Sequence, residues 1–317
     1  MRDAVTDVDV LWNMLKLPES QLQAAYSANR LFQLKVPLSF IKRMDPGNIN
    51  DPLLRQILPL GAETVSAPNF TPDPVADLSS NPLPGIIHKY HGRVLLVTTG
   101  ACAVHCRYCF RREFPYNAQT ASRKQWDVAL DYIQADETIH EVILSGGDPL
   151  TLSDAKLAML FDALNDISHV KTIRLHSRLP IVLPERIDHG FIATLNRSQK
   201  NLVMVIHANH ANEISTQVAD AVHTLKIHNV MVLNQSVLLR GVNNSLTSLV
   251  ELSHALFDIG VLPYYLNLLD KVSGSTHFDV DERQAQQLHA SMKRLLPGYL
   301  VPKLVGDIPD QPSKTWI

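Results

Sequence analysis

The stretch Cys102-Ala-Val-His-Cys106-Arg-Tyr-Cys109 contains every cysteine of the 317-residue chain. Three residues separate the first two thiols and two residues separate the last two, so one tight loop can bring all three thiolates to a single soft metal centre. Zinc is the alternative metal, but closed structural zinc sites usually take four protein ligands in two separated pairs, and the sequence has no fourth cysteine. The spacing predicts an iron–sulfur cluster with three protein ligands, which leaves one iron open for a substrate or cofactor.

This spacing resembles the motif of the radical S-adenosylmethionine (SAM) superfamily, in which the open iron binds the amino and carboxylate groups of SAM. Tyr108 adds to the resemblance, because an aromatic residue usually precedes the third cysteine in that superfamily. The resemblance implies a [4Fe-4S] cluster held by Cys102, Cys106 and Cys109, with SAM beside it and Tyr108 at the SAM site. It does not specify the reaction.

The charge balance and the start of the chain restrict the cellular setting. The formal net charge is -2, whereas a nucleic-acid-binding protein more often shows a basic excess. The first residues lack the layout of a signal peptide, and no apolar run is long enough to span a bilayer. An odd number of tightly clustered cysteines argues against a disulfide framework and indicates a reducing compartment. We therefore expect a cytoplasmic protein with neither nucleic-acid nor membrane partners.

Composition divides the chain into three segments. Residues 1–66 carry apolar residues at helical spacing, interrupted by prolines, which predicts a small helical N-terminal region. Residues 67–85 are rich in proline and predict an extended connector over the surface. Residues 86–317 are expected to form the catalytic domain.

Within this last segment, short apolar runs alternate with stretches of helical periodicity, which implies parallel strands with helical crossovers. Six such strands fit an α/β fold of the partial (β/α)6 barrel type, with a doubly wound sheet as the alternative. The predicted strands cover residues 94–98, 141–145, 170–175, 202–206, 230–233 and 264–269.

Polar or glycine residues follow most of these strands. In α/β barrels the active site is built at the carboxyl ends of the strands, so we expect these residues to share one site. After the second and third predicted strands, the resemblance to the SAM superfamily implies contacts to SAM, in part to its methionine amino group. The residues concerned are Gly146, Gly147, Asp148, Ser177 and Arg178.

The C-terminal stretch from Gly298 to Lys314 resembles the pyridoxal-phosphate (PLP) segment of lysine 2,3-aminomutases. Other matching stretches occur in the order typical of that family, and together they cover the chain from about residue 10 to its last residue. They are His88-Lys-Tyr-His-Gly-Arg93, Cys109-Phe-Arg-Arg112, Ser145-Gly-Gly-Asp148, His207-Ala-Asn-His210, Asn234-Gln-Ser-Val-Leu-Leu239 and Pro263-Tyr-Tyr-Leu-Asn-Leu-Leu-Asp270.

The family resemblance implies that Lys314 forms the resting Schiff base with PLP. A lysine in that role must supply a neutral amine, whose pKa the site lowers by desolvation or nearby positive charge. Arg111 is the implied clamp for the substrate carboxylate, while Asp270 and Asp307 are the implied partners of the side-chain ammonium. The paired carboxylates favour lysine over glutamate as substrate. The remaining residues that the resemblance assigns to PLP are Lys89, Tyr90, Arg93, His207 and Gln235.

The implied function is a SAM-radical, PLP-dependent isomerase that converts L-α-lysine into (R)-β-lysine with the help of an electron donor. The chain resembles the compact branch of the family that serves the β-lysylation of elongation factor P, where a separate ligase attaches the product. It departs from the family at Asp310-Gln-Pro-Ser313, where a glycine-rich run is usual, and at Lys89, where arginine is usual. The alternatives are a stand-alone catabolic lysine or glutamate 2,3-aminomutase, a SAM-radical enzyme without PLP, and a zinc-stabilised binding module without catalysis.

Overall fold

The computed structural model, which describes residues 3–119 and 123–317, is organised around one sheet whose strands follow each other in chain order. Short runs rich in Val, Ile, Leu and Thr form most of these strands, as expected for residues that pack on a pleated surface. The strands in the described residues are β1 (Ile86–Tyr90), β2 (Arg93–Thr99), β3 (Glu141–Gly146), β4 (Thr172–Ser177), β5 (Asn201–Ile206), β6 (Val230–Val237), β7 (Leu262–Asn267), β8 (Lys303–Gly306) and β9 (Thr315–Trp316).

Strands β2 to β8 run parallel, and the edge strands β1 and β9 are antiparallel to their neighbours. Tyr90 in β1 donates a hydrogen bond of 2.9 Å to Asp307, which directly follows β8, so the two ends of the sheet meet across one gap. The sheet is therefore an incomplete barrel, and the predicted α/β partial barrel with a helical N-terminal region is confirmed. A doubly wound sheet would reverse its strand order, which this sheet does not do in the described residues.

Helices connect the parallel strands, because a parallel pair needs a long crossover. Within the described residues they are α1 (Val8–Leu15), α2 (Leu22–Leu31), α3 (Leu38–Ile41), α4 (Tyr116–Gln119), α5 (Arg123–Ala135), α6 (Asp154–Asp166), α7 (Leu179–Val182), α8 (His189–Leu195), α9 (Thr216–Ile227), α10 (Leu246–Asp258) and α11 (Glu282–Leu295). None of the helices in this part of the chain is both long and apolar enough to cross a membrane.

The N-terminal helices pack directly on the barrel. Leu11 of α1 and Phe40 of α3 are fully buried in the same hydrophobic cluster as Leu96 of β2 and Leu175 of β4. A short 3-10 turn, Gly61–Thr64, then brings Glu63 under the cysteine loop. The N-terminal region therefore both covers the barrel and contacts the loop that carries the cysteines.

The connector of residues 67–85 carries a few buried residues among mostly exposed and half-buried ones. Val75 and Asp77 are only 2% and 3% exposed, and Asp77 points into the barrel. Ala76, between them, has a left-handed backbone (φ 55°), which marks the tight turn that directs Asp77 inwards. The proline content gave no sign of this turn.

Several strand limits also differ from prediction. Gln235 lies within β6 and His176 within β4, whereas the sequence analysis placed both just beyond the strand ends. His176 follows the buried Leu175 in β4, and Gln235 lies between the buried Asn234 and Ser236 in β6. Both side chains line the barrel cavity rather than cap its rim. Strands β1, β8 and β9 were not predicted, because their short sequences lack a continuous apolar run.

Candidate active site

One cavity of about 540 Å³ occupies the barrel interior and opens beside the cysteine loop. It brings together nearly every residue that the sequence analysis assigned to a site, with Ser177 behind its wall. The predicted residues that line it are Lys89, Tyr90, Arg93, Cys102, Cys106, Tyr108, Cys109, Arg111, Gly146, Gly147, Asp148, Arg178, His207, Gln235, Asp270, Asp307 and Lys314.

The three cysteines are free thiols on the wall of this cavity. Burial, followed by the neighbouring Cys106, raises the pKa of Cys109 to about 11. Burial also raises the pKa of Cys102 well above its ordinary value, with Cys109 and Asp148 contributing. The thiols are thus close enough to oppose one another's ionisation, which a bound cation would reverse.

Buried ion pairs hold the cysteine loop from beneath. Arg107 is completely buried and donates two hydrogen bonds to the Glu63 carboxylate, of 2.8 and 2.6 Å. Its Nη1 donates to the carbonyl oxygen of Phe32, and its Nη2 donates to that of Ala28 as well as to Glu63. Arg112 donates to the same carboxylate at 3.0 Å, so one glutamate fixes both arginines that flank the last cysteine. Sequence analysis missed Glu63, because it is distant in the chain and follows no motif.

The end of β3 lies against the cysteine loop so closely that only glycine fits. A Cβ atom on Gly146 would lie 2.6 Å from the Thr99 carbonyl oxygen, and one on Gly147 would lie 2.4 Å from that of Ala101. Gly146 also has φ of 114°, a conformation that favours glycine. These glycines are therefore required by backbone packing, whether or not they also contact a ligand.

Asp148, which follows these glycines, is buried and accepts hydrogen bonds from Ser177 Oγ at 2.7 Å and the Arg178 amide at 2.8 Å. Burial raises its pKa to about 6, although these hydrogen bonds oppose the shift. Asp148 and Ser177 thus join the ends of β3 and β4. In this structure the two residues hold the ends of β3 and β4 in alignment.

Arg178 connects the cysteine loop to a buried polar network. Its Nη1 lies 2.6 Å from Cys106 Sγ, and its Nη2 donates to Gln56 at 2.6 Å and to Glu213 at 3.1 Å. Asn209 donates to Gln56 and, at 2.6 Å, to the Tyr108 hydroxyl. The network holds Tyr108 and Arg178 on the cysteine side of the cavity. Gln56 and Glu213 were not singled out, because each is a common residue outside the quoted motifs.

The other side of the cavity carries a cluster of charged groups from the C-terminal half of the chain. Lys314 Nζ lies 3.2 Å from Asp307 Oδ2, and Tyr90 donates to the other oxygen of the same carboxylate. Burial raises the pKa of Asp270 to about 7; Asp307 raises it too, while Lys314 lowers it. Two carboxylates and one primary ammonium therefore occupy this side.

A histidine and an amide lie on the wall formed by β5 and β6. His207 Nε2 and Gln235 Nε2 are 2.7 Å apart, so the imidazole accepts a hydrogen bond from the amide. Burial lowers the pKa of His207 to about 3, helped by the positive charge of Arg178. His207 is therefore a neutral acceptor at physiological pH.

Two further cations of the cavity contact Asp77, which is a residue of the connector. Lys89 Nζ lies 2.7 Å from Asp77 Oδ1 and Arg111 Nε lies 2.8 Å from Asp77 Oδ2. Arg93 instead places its guanidinium over the Tyr90 ring, 4.7 Å from the ring centre. Asp77 was missed because its segment was assigned to the surface.

The cavity fits polar ligands, and its cysteines fit an iron–sulfur cluster by their chemistry. Among the described residues, His176 Nε2, Arg174 Nε and Arg178 Nε are buried without a hydrogen-bond partner, which a polar ligand could provide. No group of three His, Cys, Asp or Glu side chains in residues 3–119 and 123–317 is already gathered to hold a metal. The donor set is nevertheless that of iron–sulfur proteins, namely three thiols on one wall with space beside them.

Comparison with known proteins independently supports an iron–sulfur cluster in this chain. A family model described as a 4Fe-4S single cluster domain matches residues 91–177. The L-lysine 2,3-aminomutase of Escherichia coli K12 is 48% identical over 99% of this chain and 92% of its own length. That of Haemophilus influenzae is 45% identical over 99% and 93%, and that of Clostridium subterminale is 32% identical over 99% and 76%.

Solved structures were matched at lower identity. Streptococcus suis SuiB aligns with a TM-score of 0.49 and 11% identity, over 69% of this chain and 50% of its own. A radical SAM methyltransferase from Sphaerobacter thermophilus aligns with a TM-score of 0.49 and 15% identity, over 70% and 68%.

Proposed function

This chain belongs to the L-lysine 2,3-aminomutase family of radical SAM isomerases, and from that premise we propose that it uses PLP to make (R)-β-lysine from L-α-lysine for the β-lysylation of elongation factor P. The family membership rules out the zinc-stabilised binding module without catalysis. The proposal covers three points: that the cofactor is PLP, that the product is (R)-β-lysine, and that this product is used to modify elongation factor P.

One observation carries the proposal: a single cavity places three cysteines on one wall and Lys314 with two aspartates on another. A substrate that spans these walls would present its reacting carbons to the cluster side and a cationic end to the aspartates. L-lysine has that distribution of charge. Glutamate does not, because its distal carboxylate would face Asp270 and Asp307, and like charges in a buried site are costly.

The ion pair of Lys314 with Asp307 supports lysine as the substrate. Asp307 holds a primary ammonium on a four-carbon chain at 3.2 Å, the group that the side chain of free lysine also ends in. If PLP were held by Lys314, the place beside Asp307 would be open to the ε-ammonium of the substrate. Asp270, buried nearby, would share that positive charge and lose its own proton as it does so.

The remaining residues line the same cavity or support its wall, which is consistent with the roles that the family resemblance implies. Arg111 would hold the substrate α-carboxylate, for which its planar guanidinium is suited. Lys89, Arg93 and Gln235 would meet the phosphate and ring oxygen of PLP, with Tyr90 and His207 completing that wall. Ser177 and Asp148 would keep the strand ends aligned beneath SAM, with Gly146, Gly147, Tyr108 and Arg178 around it.

When bound, the cluster with SAM supplies a carbon-centred radical and PLP supplies a conjugated ring that spreads the unpaired electron. The protein itself orients the substrate at both charged ends and excludes water from the barrel interior. His207, neutral because its pKa is about 3, can accept a hydrogen bond there without adding positive charge. Positioning and charge neutralisation are therefore the contributions of this chain.

Borohydride reduction of the PLP-reconstituted protein, followed by peptide mapping, tests the PLP assignment. The expected result is a pyridoxyl group on Lys314 that is absent from the Lys314→Ala variant. A pyridoxyl group on another lysine, or none at all, would overturn it and favour a SAM-radical enzyme without PLP.

A substrate panel tests the lysine assignment. Anaerobically reconstituted protein receives L-lysine, L-norleucine or L-glutamate in equal amounts, and L-lysine is expected to be the preferred substrate because only it carries a distal ammonium. Equal turnover of L-norleucine would show that the aspartates do not select the cation, and preference for L-glutamate would establish the glutamate aminomutase alternative.

The destination of the product is tested by coupling. Purified elongation factor P and its lysine ligase are added to the product mixture, and mass spectrometry is expected to show a β-lysyl adduct on the factor. Transfer of the (S) isomer alone, or no transfer from a mixture that contains β-lysine, would favour the catabolic alternative. A cytoplasmic location, where thiols stay reduced, is part of the same proposal.

A further inference from the structure

The carboxylate of Asp77 lies between two cations of the cavity. Its Oδ1 is 2.7 Å from Lys89 Nζ and its Oδ2 is 2.8 Å from Arg111 Nε. The Asp77 side chain is 4% exposed, and those of Lys89 and Arg111 are 14% and 9% exposed. All three line the same cavity, so this trio is part of the site rather than a surface ion pair.

The connector holds Asp77 in place through its own turn. Asp73 accepts hydrogen bonds from the amides of Asp77, at 2.9 Å, and Leu78, at 3.0 Å. The Ser80 amide donates to the Asp77 carbonyl at 3.3 Å. Lys89 also donates to the Val75 carbonyl, which ties the same turn to β1. The carboxylate thus comes from a fixed backbone, which is what a positioning group requires.

Asp77 approaches Arg111 from the side of the Nε atom. In the described residues, the other side-chain hydrogen bond of Arg111 is a long one, 3.4 Å from Nη1 to Ser145 Oγ. The rings of Phe110 and Phe114 lie 4.8 and 5.9 Å from the guanidinium carbon and restrict it further. The guanidinium of this cavity-lining residue is therefore held at Nε, and its Nη pair, which can bind a carboxylate with two parallel bonds, is not hydrogen-bonded to Asp77.

The trio of Asp77, Lys89 and Arg111 carries a net charge of one positive unit, which one bound anion would neutralise. Two cations face one anion, and buried charge of one sign is costly unless it is paired. A single negatively charged group beside Arg111 would complete the pairing. Without Asp77 the two cations would be separated only by the ligand, and Arg111 would lose the partner that fixes its orientation.

We propose that Asp77 is a positioning residue that orients Arg111 for the α-carboxylate of the substrate and couples that clamp to Lys89. This inference rests on the proposed function, in which Arg111 holds the substrate carboxylate. The opposite arrangement would make Asp77 a competitor that occupies the clamp in place of the substrate. The Nε-side approach favours positioning, because it leaves the Nη pair to the ligand.

The test compares binding of L-lysine with that of L-lysinamide, which lacks the carboxylate charge. Both are titrated by calorimetry into PLP- and cluster-loaded protein with oxidised cluster and without SAM, so that no turnover occurs. The parent is expected to prefer L-lysine by roughly ten- to a hundredfold, the range of a charge-assisted hydrogen bond. In Asp77→Asn this preference is expected to fall to within about threefold, because Asn offers Arg111 no charge.

The matched control is Glu113→Gln, which removes an exposed carboxylate two residues from Arg111 and leaves the turn that holds Asp77 intact. It is expected to retain the parent preference. If Asp77→Asn does not fold, the double variant Asp77→Asn with Lys89→Met replaces it. That variant removes one cation with the anion, and its PLP content is measured before the titration because Lys89 is also proposed to meet the PLP phosphate.

Each outcome has one meaning. A preference that collapses in Asp77→Asn and survives in Glu113→Gln supports the positioning role. Tighter binding of L-lysine by Asp77→Asn would overturn it in favour of competition, and an unchanged preference would overturn it in favour of a purely structural ion pair. A parent that binds L-lysine and L-lysinamide equally would remove the Arg111 clamp itself, and the proposed function would fail before Asp77 was considered.

Discussion

The cysteine loop and the C-terminal segment face the same cavity but are held in place in different ways. The loop rests on Arg107, which is fully buried on the equally buried Glu63. The C-terminal segment places Lys314 on one ion pair with Asp307, in which the side chains are 24% and 18% exposed. Trp316, two residues further on, is 71% exposed.

The difference in burial predicts that substitutions in the two regions affect different properties, namely folding stability and turnover. A cluster site must hold three thiols in a fixed arrangement, so its supporting charges are buried and costly to break. In the proposed function Lys314 exchanges partners when PLP and substrate bind, and a half-buried ion pair of small net worth would permit that exchange. We therefore expect changes beneath the cysteine loop to unfold the protein, and changes at Lys314 to stop the reaction in a folded one.

The largest expected effect on stability is that of Glu63→Gln. The substitution keeps the shape but leaves Arg107 and Arg112 without their buried anion, which costs about 3–5 kcal/mol. Denaturant unfolding of the cofactor-free protein measures the loss, and iron content after anaerobic reconstitution is expected to fall with it.

Glu113→Gln is the matched control, because Glu113 is exposed and follows Arg112 in the chain. Its free energy of unfolding is expected to stay within about 0.5 kcal/mol of the parent. Equal effects of the two substitutions would contradict the view that the loop depends on a buried charge pair.

The second-largest effect is that of Asp270→Asn, which is expected to stabilise the protein by an amount that depends on pH. The pKa of Asp270 is about 7 in the folded protein, above the ordinary value of 3.8, so the folded state binds the proton more tightly than the unfolded chain. The parent therefore loses stability as pH rises from about 4 to 7, and Asp270→Asn avoids this loss, worth up to about 4 kcal/mol above pH 7.

Unfolding free energies of the cofactor-free proteins at pH 5 and pH 8 measure this effect. The stabilisation by Asp270→Asn is expected to be larger at pH 8 than at pH 5. The same gain at both pH values would mean that Asp270 does not titrate in this window. The variant is also expected to lose selectivity for L-lysine, because in the proposed function this buried carboxylate meets the substrate ammonium.

A smaller effect is expected from Gly147→Ala at the junction between β3 and the cysteine loop. Its Cβ would lie 2.4 Å from the Ala101 oxygen and 2.8 Å from the Ala101 carbon, both backbone atoms. The backbone must shift, at a cost of about 1–3 kcal/mol. Gly298→Ala, at a glycine with no atom near the new Cβ, is the control in the same unfolding assay.

Lys314→Ala is expected to have the smallest effect on stability. Its half-exposed ion pair is worth about 0–1 kcal/mol. Turnover is nevertheless expected to be lost, with the iron–sulfur absorption spectrum unchanged. Lys293→Ala, at an exposed lysine of α11, should keep both stability and turnover. A large drop in melting temperature for Lys314→Ala alone would contradict the contrast between the two regions.

The sequence predicted the repeating parts of this molecule well and the long-range contacts poorly. The six strands from β2 to β7 follow from apolar runs with β-branched residues, and the cysteine spacing identifies the loop because three ligands must converge locally. Gln235 was placed beyond its strand, because a polar residue usually ends an apolar run; inside a barrel with a polar cavity it does not.

Glu63, Asp77 and Glu213 were missed for a common reason. Each is a single acidic residue whose partner lies far away in the chain, such as Arg107 for Glu63 and Arg111 for Asp77. No local pattern distinguishes such a residue from one exposed to solvent. Only the packing of the connector and the N-terminal helices on the barrel shows that their carboxylates are buried among arginines.

The most direct test of the account is to follow the amino nitrogen itself. L-lysine labelled with ¹⁵N at the α-amino group and ¹³C at C3 is given to the anaerobically reconstituted protein with SAM, PLP and a strong reductant. The account predicts a product whose C3 carbon is coupled to ¹⁵N in the NMR spectrum, formed without proportionate consumption of SAM. Cleavage of SAM with the label still on C2 would contradict it.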